Sequence, residues 1–344
     1  MLLAMALFLW TTPQSHMIEL EEQEGFQLVN LHNAQIAQDG SILLAAGKEL
    51  RHWDGQGRLL RKITGGPGKV DFEMIMTFVW DANRGIYWIV DGFKSHFHFF
   101  DRDGNYLGSD YPYDPEDPAA KPTQYQRLNL VGSRVFAQDN SEMAARMPGR
   151  PTIFQLLEVE VTKDGVDLKK VGPTCYPVRP MLLSYNYSFK RHWLVQKGFS
   201  KNFFVVDELS TAILEYGPQP GQDISDGIVR EVSRLPLTME DWVGSKPPNQ
   251  FVSLTSRRDQ VNWMLSFSRL TGLYRLEQDF LVGYSIPSRE GELGLLALQR
   301  VNRKGRRMGD KVIIDGILIG THENRAMVLV TQNREPTGIK IYQF

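Results

Sequence analysis

Short apolar runs, each broken by a cluster of Gly, Asp, Asn or Pro, follow one another along the chain. Val, Ile, Phe, Tyr and Trp dominate the runs, and the breaks come too often for helices of ordinary length, so strands are predicted. Residues 86–100 read Ile-Tyr-Trp-Ile-Val-Asp-Gly-Phe-Lys-Ser-His-Phe-His-Phe-Phe. Residues 202–216 read Asn-Phe-Phe-Val-Val-Asp-Glu-Leu-Ser-Thr-Ala-Ile-Leu-Glu-Tyr and align with them without a gap. Each is a strand ending in Val-Asp (Asp91, Asp207), a turn, and a second strand.

A second signature recurs in the breaks. Trp53-Asp54-Gly55-Gln56-Gly57, Phe100-Asp101-Arg102-Asp103-Gly104, Val161-Thr162-Lys163-Asp164-Gly165 and Val301-Asn302-Arg303-Lys304-Gly305 share one plan. An apolar residue is followed by Asp, Thr or Asn, two spacer residues and Gly. The side-chain oxygen bonds its own backbone and Gly takes the positive φ of a tight hairpin. The glycines at 57, 104, 165 and 305 are 47, 61 and 140 residues apart, and 140 is close to three times 47.

A period near 47 with about four strands per repeat predicts an all-β fold, a six-bladed β-propeller of four-stranded antiparallel blades. The blades fall at about 32–64, 73–108, 124–172, 180–235, 268–314 and 316–344. The last ends on Ile339-Lys340-Ile341-Tyr342-Gln343-Phe344, which reads as a third strand. Its outer strand is expected from an N-terminal segment, with residues 24–31 the candidate, which would close the ring. Residues 236–267 fall outside the period. Thr238-Met239-Glu240-Asp241 resembles an N-cap, and Val261, Met264, Leu265 and Ser268 follow helical spacing. A small helical insertion is expected there, with a degenerate seventh blade as the competing reading. A Pro-, Asp- and Ala-rich stretch, Pro112–Pro122, marks a long loop.

Composition narrows the function classes. At 42% hydrophobic the chain holds too much apolar matter to be disordered. With 39 Lys+Arg against 40 Asp+Glu it lacks the basic excess of a nucleic-acid binder. Its single cysteine, Cys175, excludes an internal disulfide framework and reads as a small buried side chain or a loop residue. Residues 1–10 are apolar but too short to span a bilayer. Within 1–17 they suit either an export signal or an apolar tail, although no Lys or Arg precedes them and no small-x-small site is clear before Met17. The first reading makes the protein periplasmic or secreted and the second leaves it cytoplasmic. No other stretch approaches a transmembrane helix. Residues 18–344 are expected to form one propeller domain, and a monomer.

One segment adds a family likeness. Ile63-Thr64-Gly65-Gly66-Pro67-Gly68-Lys69-Val70-Asp71-Phe72, followed by Val90-Asp91 and Phe99-Phe100-Asp101-Arg102-Asp103-Gly104, resembles the repeat of bacterial six-bladed propellers related to NHL-repeat proteins. Phe280-Leu281-Val282-Gly283-Tyr284-Ser285-Ile286-Pro287 resembles later blades of exported members. The likeness is good over about 45–110, fair over 190–220 and 280–344, and weak over 112–180. It implies the propeller and an extracytoplasmic location, and carries no catalytic residue, because propellers host binders and enzymes alike.

Candidate chemistry is sparse. His32 and His192 sit at the expected starts of innermost strands, and Asp91 and Asp207 end second strands, so all four are expected near one face of the channel. The resemblance to six-bladed amidating lyases, which hold zinc on channel histidines, makes a divalent metal there the rival reading, with His322 a further ligand candidate. A simpler role for Asp91 and Asp207 is to bond backbone amides at the turns. His96 and His98, two apart on a strand, share a face but lack a third ligand nearby in sequence. Gly65-Gly66-Pro67-Gly68 precedes a strand, so it reads as a linking turn and not a phosphate loop. No Gly-x-Ser-x-Gly or His-Glu-x-x-His occurs. Arg300, Arg303, Lys304, Arg306 and Arg307 flank a hairpin and read as a solvated tip. Trp53, Trp80 and Trp88 sit in strand patterns that core packing explains. The leading expectation is a non-enzymatic propeller that binds a small ligand, glycan, peptide or protein at its channel face, without a cofactor. The alternative is a metal-dependent hydrolase or lyase with its site in the channel.

Overall fold

The computed structural model describes residues 14–28, 33–65, 70, 73–92, 96–112, 125–139, 152–163, 165–176, 192–196, 202–209, 211–218, 220–222, 229–244, 263, 265–287 and 294–344. The chain enters through β1 (Ser15–Ile18). Blade 1 follows as β2 (Ala34–Ile36), β3 (Ile42–Ala46), β4 (Glu49–Trp53) and β5 (Leu59–Thr64). Blade 2 is β6 (Ile75–Asp81), β7 (Ile86–Asp91), β8 (Phe97–Asp101) and β9 (Tyr106–Asp110). Blade 3 is β10 (Tyr125–Val131), β11 (Arg134–Asp139), β12 (Thr152–Thr162) and β13 (Gly165–Tyr176). Blade 4 is β14 (His192–Gln196), β15 (Phe203–Asp207), β16 (Ala212–Pro218) and β17 (Val229–Pro236). Blade 5 is β18 (Arg269–Leu276), β19 (Asp279–Ile286), β20 (Leu295–Val301) and β21 (Val312–Ile314). Blade 6 is β22 (Ile317–His322), β23 (Arg325–Gln332) and β24 (Glu335–Gln343), with β1 as its outer strand. All pairings are antiparallel within six four-stranded sheets.

The second strand of each blade explains why the apolar runs are continuous. In β7, Tyr87 and Ile89 pack toward blade 1, whereas Trp88 and Val90 pack toward blade 3. In β15, Phe203 and Val205 face blade 3, and Phe204 and Val206 face blade 5. In β23, Met327 and Leu329 face blade 1, and Ala326 and Val328 face blade 5. A strand buried on both faces has no polar side to alternate with. Every seam between neighbouring blades holds its own buried apolar cluster, so the core is a ring of seams.

The repeated hairpins join third to fourth strands; three share one bond set, and at the fourth the Thr162 hydroxyl instead donates to Gly165 O at 3.2 Å. Asp54 Oδ1 accepts from the amides of Gln56 and Arg58, Asp101 Oδ1 from Asp103 and Asn105, and Asn302 Oδ1 from Lys304 and Arg306. These tips also join blades. The amide of Glu21, just past β1, donates to Gly57 O, and that of Thr238, just past β17, donates to Gly305 O. A Cβ on either glycine would lie 2.0 Å from a backbone oxygen of that passing segment, so only glycine fits. The chain leaving one blade thus lies across the hairpin of the next.

Two expectations need correction. The closing strand is Ser15–Ile18, paired with Ile339–Tyr342, and not residues 24–31. Residues 24–28 instead belong to a strap that fills the seam between blades 6 and 1. Leu20, Phe26 and Leu28 are buried there, and Trp53 Nε1 donates to Glu21 O at 2.8 Å. Apolar strap residues look like a strand in sequence, but their backbone bonds go to Gly57, Gln23 and Arg334 and form no ladder. Thr238–Asp241 does not cap a helix either. Leu237 and Met239 are buried in the seam between blades 4 and 5, and Glu240–Asp241 forms a turn with Asp241 at φ 55°. Among the described residues the helical insertion is represented by Trp263 and Leu265 alone, and residues 245–262 and 264 lie outside them.

Candidate ligand-binding channel face

Innermost strands start on the face where second strands end, and this face carries the turns from second to third strands. Asp91, the last residue of β7, lies on it opposite Ile75. It is 1% exposed, and its Oδ2 accepts the amide of Glu73 at 3.3 Å. The neighbouring amide of Gly92 donates to Met74 O at 2.8 Å. Asp91 therefore pins the segment that enters β6. His192 and Asp207 are direct partners in the register of β14 and β15, so blade 4 brings this pair of the expected set together. Their side chains and the whole of His32 lie outside the described residues. His322 ends an innermost strand and so sits on the opposite face from Asp91, where its ring packs over Gly40.

The other candidates are accounted for locally. The rings of His96 and His98 are 5.9 Å apart, as strand spacing requires, and His96 stacks on Tyr111 at 3.6 Å. Among the described residues no three His, Cys, Asp or Glu side chains converge as a metal site. In the basic hairpin, Arg300 bonds Asp279 at 2.7 Å, Arg303 donates to Gln278 O at 2.7 Å and Arg307 pairs with Glu240 at 3.2 Å. The Gly65–Gly68 segment leads toward strand β6, and its residues 66–69 are outside the described set. Cys175 lies in β13 opposite Ile153.

Sequence reasoning missed the polar lining of the channel. Asn33 Nδ2 of blade 1 donates to Ile75 O of blade 2 at 2.8 Å, and Gln35 Nε2 donates to Phe78 O. Thr77 Oγ1 of blade 2 accepts the amide of Leu128 of blade 3 at 3.0 Å. Gln38 reaches from blade 1 past blade 2 to Gly132 O at 2.9 Å, and Arg127 of blade 3 hydrogen-bonds Tyr274 of blade 5. Burial pushes the Tyr274 hydroxyl above its usual pKa, and the Arg127 charge and hydrogen bond oppose that rise. These side chains give no repeat signal, because each makes a different bond.

The charge on these walls is one-sided. The six innermost strands carry Arg127, Arg269 and Arg275, and Asp81 is the sole acid in their sequences. Asp81 is consumed at the far end, where it accepts the amide of Arg84 in its own turn. Arg275 is also at that end, donating to Glu277 O. Arg127, which bonds Tyr274, and Arg269 lie nearer the starts of their strands. Arg269 Nε and Asn129 Nδ2 are buried donors with no acceptor among the described residues. Buried N–H groups without acceptors are uncommon and favour a ligand that supplies oxygen.

No known protein family and no curated protein matches the chain. Solved structures match its fold. A member of the DUF4221 family from Bacteroides vulgatus has a TM-score of 0.63 at 10% identity, covering 97% of each chain. An exported-protein candidate from Bacteroides fragilis has a TM-score of 0.54 at 11% identity, over 96% of this chain and 94% of that one. A luciferin-regenerating enzyme has a TM-score of 0.53 at 9% identity, over 96% and 95%. At such identities the likeness is one of fold, and the chain is a six-bladed β-propeller.

Proposed function

We propose that this propeller is a binding protein whose channel face receives a carboxylate-bearing ligand, such as an acidic glycan or the acidic part of a peptide or protein partner. The observation that carries the reading is the pair Arg127 and Arg269 on innermost strands, beside unsatisfied buried donors and without a free acid on those strands. A carboxylate accepts charge-assisted hydrogen bonds from both groups. The relation to NHL-type propellers and a periplasmic or secreted location are parts of the same proposal. Their support is the turn-and-strand repeat, the apolar run 1–10 and the fold likeness to an exported-protein candidate.

The test uses trigalacturonate and a triglutamate peptide as probes in thermal-shift titrations. At least one is expected to raise Tm in the wild type, and Arg269→Ala should remove most of that rise. No rise with either probe, or an undiminished rise in the variant, counts against the channel site. The metal-dependent reading rests on one observation, the facing of His192 and Asp207 in register. It predicts close to one equivalent of divalent metal after gentle purification, lost in His192→Ala.

A further inference from the structure

The face opposite the channel entrance holds a cavity of about 320 Å³ where blade 6 meets blade 1. It lies between the turn that joins the first two strands of blade 6 and two turns of blade 1. Gly40 makes the closeness of those turns possible. A Cβ there would sit 2.8 Å from the His322 ring, and φ is +81°. The floor is apolar: Met327 and Ile341 are buried, and Leu60 closes one side.

The rim carries both signs of charge. Asp39 and Asp54 stand on blade 1, and Arg325 and His322 on blade 6. Burial alone would raise the Asp39 carboxyl, but bonds from the Ser41 hydroxyl and amide and from the Trp80 indole outweigh it and keep the group ionised. Asp54 is held ionised in the same way by the amides of Arg58 and Gln56 and by the Arg58 guanidinium at 2.7 Å, an exposed partner that, like Glu323 at Arg325, a ligand displaces at small cost. The Arg325 guanidinium is paired with Glu323, an exposed partner that a ligand displaces at small cost. The His322 imidazole makes no hydrogen bond among the described residues.

Size and charge together select a ligand class. At roughly 30 Å³ per water-sized group, the space holds about ten non-hydrogen atoms. A simple carboxylate would lie against Asp39 and Asp54 with no counter-charge of its own, and a simple amine would lie against Arg325. An uncompensated charge in a partly closed site is disfavoured. A small zwitterion with an aliphatic tail matches both walls and the floor.

We propose that the seam between blades 6 and 1 is a binding site for a free amino acid of leucine size. Its carboxylate meets Arg325 and His322, its ammonium meets Asp39 and Asp54, and its side chain rests on Met327 and Ile341. The site is separate from the channel, so it stands whether or not the channel reading does.

The test is isothermal titration of the full-length protein with L-leucine, 4-methylpentanoate and 3-methylbutylamine. Leucine is expected to bind saturably at one site. Each analogue, lacking one charge, should bind at least about tenfold more weakly. Met327→Trp, which fills the floor, should abolish leucine binding. Arg325→Gln, at the partly exposed start of β23, should weaken leucine about tenfold and bind 3-methylbutylamine more tightly than the wild type does. No heat with leucine, analogues that equal leucine, or undiminished binding in Arg325→Gln would overturn the proposal.

Discussion

At the residue scale, the most consequential side chain outside both sites is His52. It is 4% exposed in the seam between blades 1 and 2, its Nδ1 bonds the Tyr87 hydroxyl at 2.6 Å, and Trp80 packs 5.6 Å away. Burial lowers its pKa to about 4; the Asp39 charge pulls the other way and Arg61 adds to the lowering. The folded protein therefore keeps a neutral imidazole where the unfolded chain takes up a proton near pH 6.5. Stability is full above that pH and falls as pH drops from about 6.5 toward 4. Over that window the loss is roughly 3 kcal/mol, from about 1.4 kcal/mol per unit. Urea unfolding at pH 7.5 and 4.5 should show the wild type losing about that much more than His52→Gln. Equal losses in the two proteins would refute the linkage. Nothing in the sequence marks His52, because a lone histidine in an apolar strand carries no pattern. Asp54, Asp101 and Asn302 were legible because the same turn chemistry recurs three times.

At the scale of elements, the strap and β1 govern how the ring is held. β1 pairs four residues with β24, and the strap that follows buries Leu20, Phe26 and Leu28. Arg51 lies over the Phe26 ring at 4.4 Å, adding a cation–π contact to the burial. Outer strands are the weak edges of a propeller, and removing β1 would bare the backbone of β24. If the protein is exported, as proposed, its mature chain is accordingly predicted to begin at or before Gln14. N-terminal sequencing of secreted material checks this, and a mature start beyond Ser15 would contradict it. The strand hairpins could be read from sequence because apolar runs and Asx turns are local. The identity of the closing strand could not, because both Ser15–Ile18 and residues 24–31 are short segments near the terminus. Only the long-range register with Ile339–Tyr342 distinguishes them.

At the scale of the whole molecule, the six sheets of described residues make one ring, and both candidate sites are consequences of its closure. The channel exists because six innermost strands face one axis, and the seam cavity lies where the first and last blades meet. The blade count was legible from glycines spaced near 47 residues. The channel chemistry was not, since Arg127 and Asn129 belong to blade 3 and Arg269 and Tyr274 to blade 5, and only the folded ring brings Arg127 to Tyr274. His192 and Asp207 were singled out in sequence because they fall at equivalent positions of a repeat, and the register of β14 and β15 pairs them. Asp91, at the equivalent position in blade 2, bonds a backbone amide, which is the simpler of the two roles its sequence allowed.

The central claim is that the two ends of the chain share blade 6. Met17 and Lys340 are direct partners in an antiparallel ladder, where Cα atoms lie about 4.5–5.5 Å apart, within disulfide reach. The decisive measurement is oxidation of Met17→Cys/Lys340→Cys in a Cys175→Ser background, followed by mass spectrometry and thermal unfolding. The closed ring predicts a near-quantitative intramolecular disulfide and a Tm raised by at least about 5 °C. Free thiols after oxidation, or linkage only between separate molecules, would contradict it.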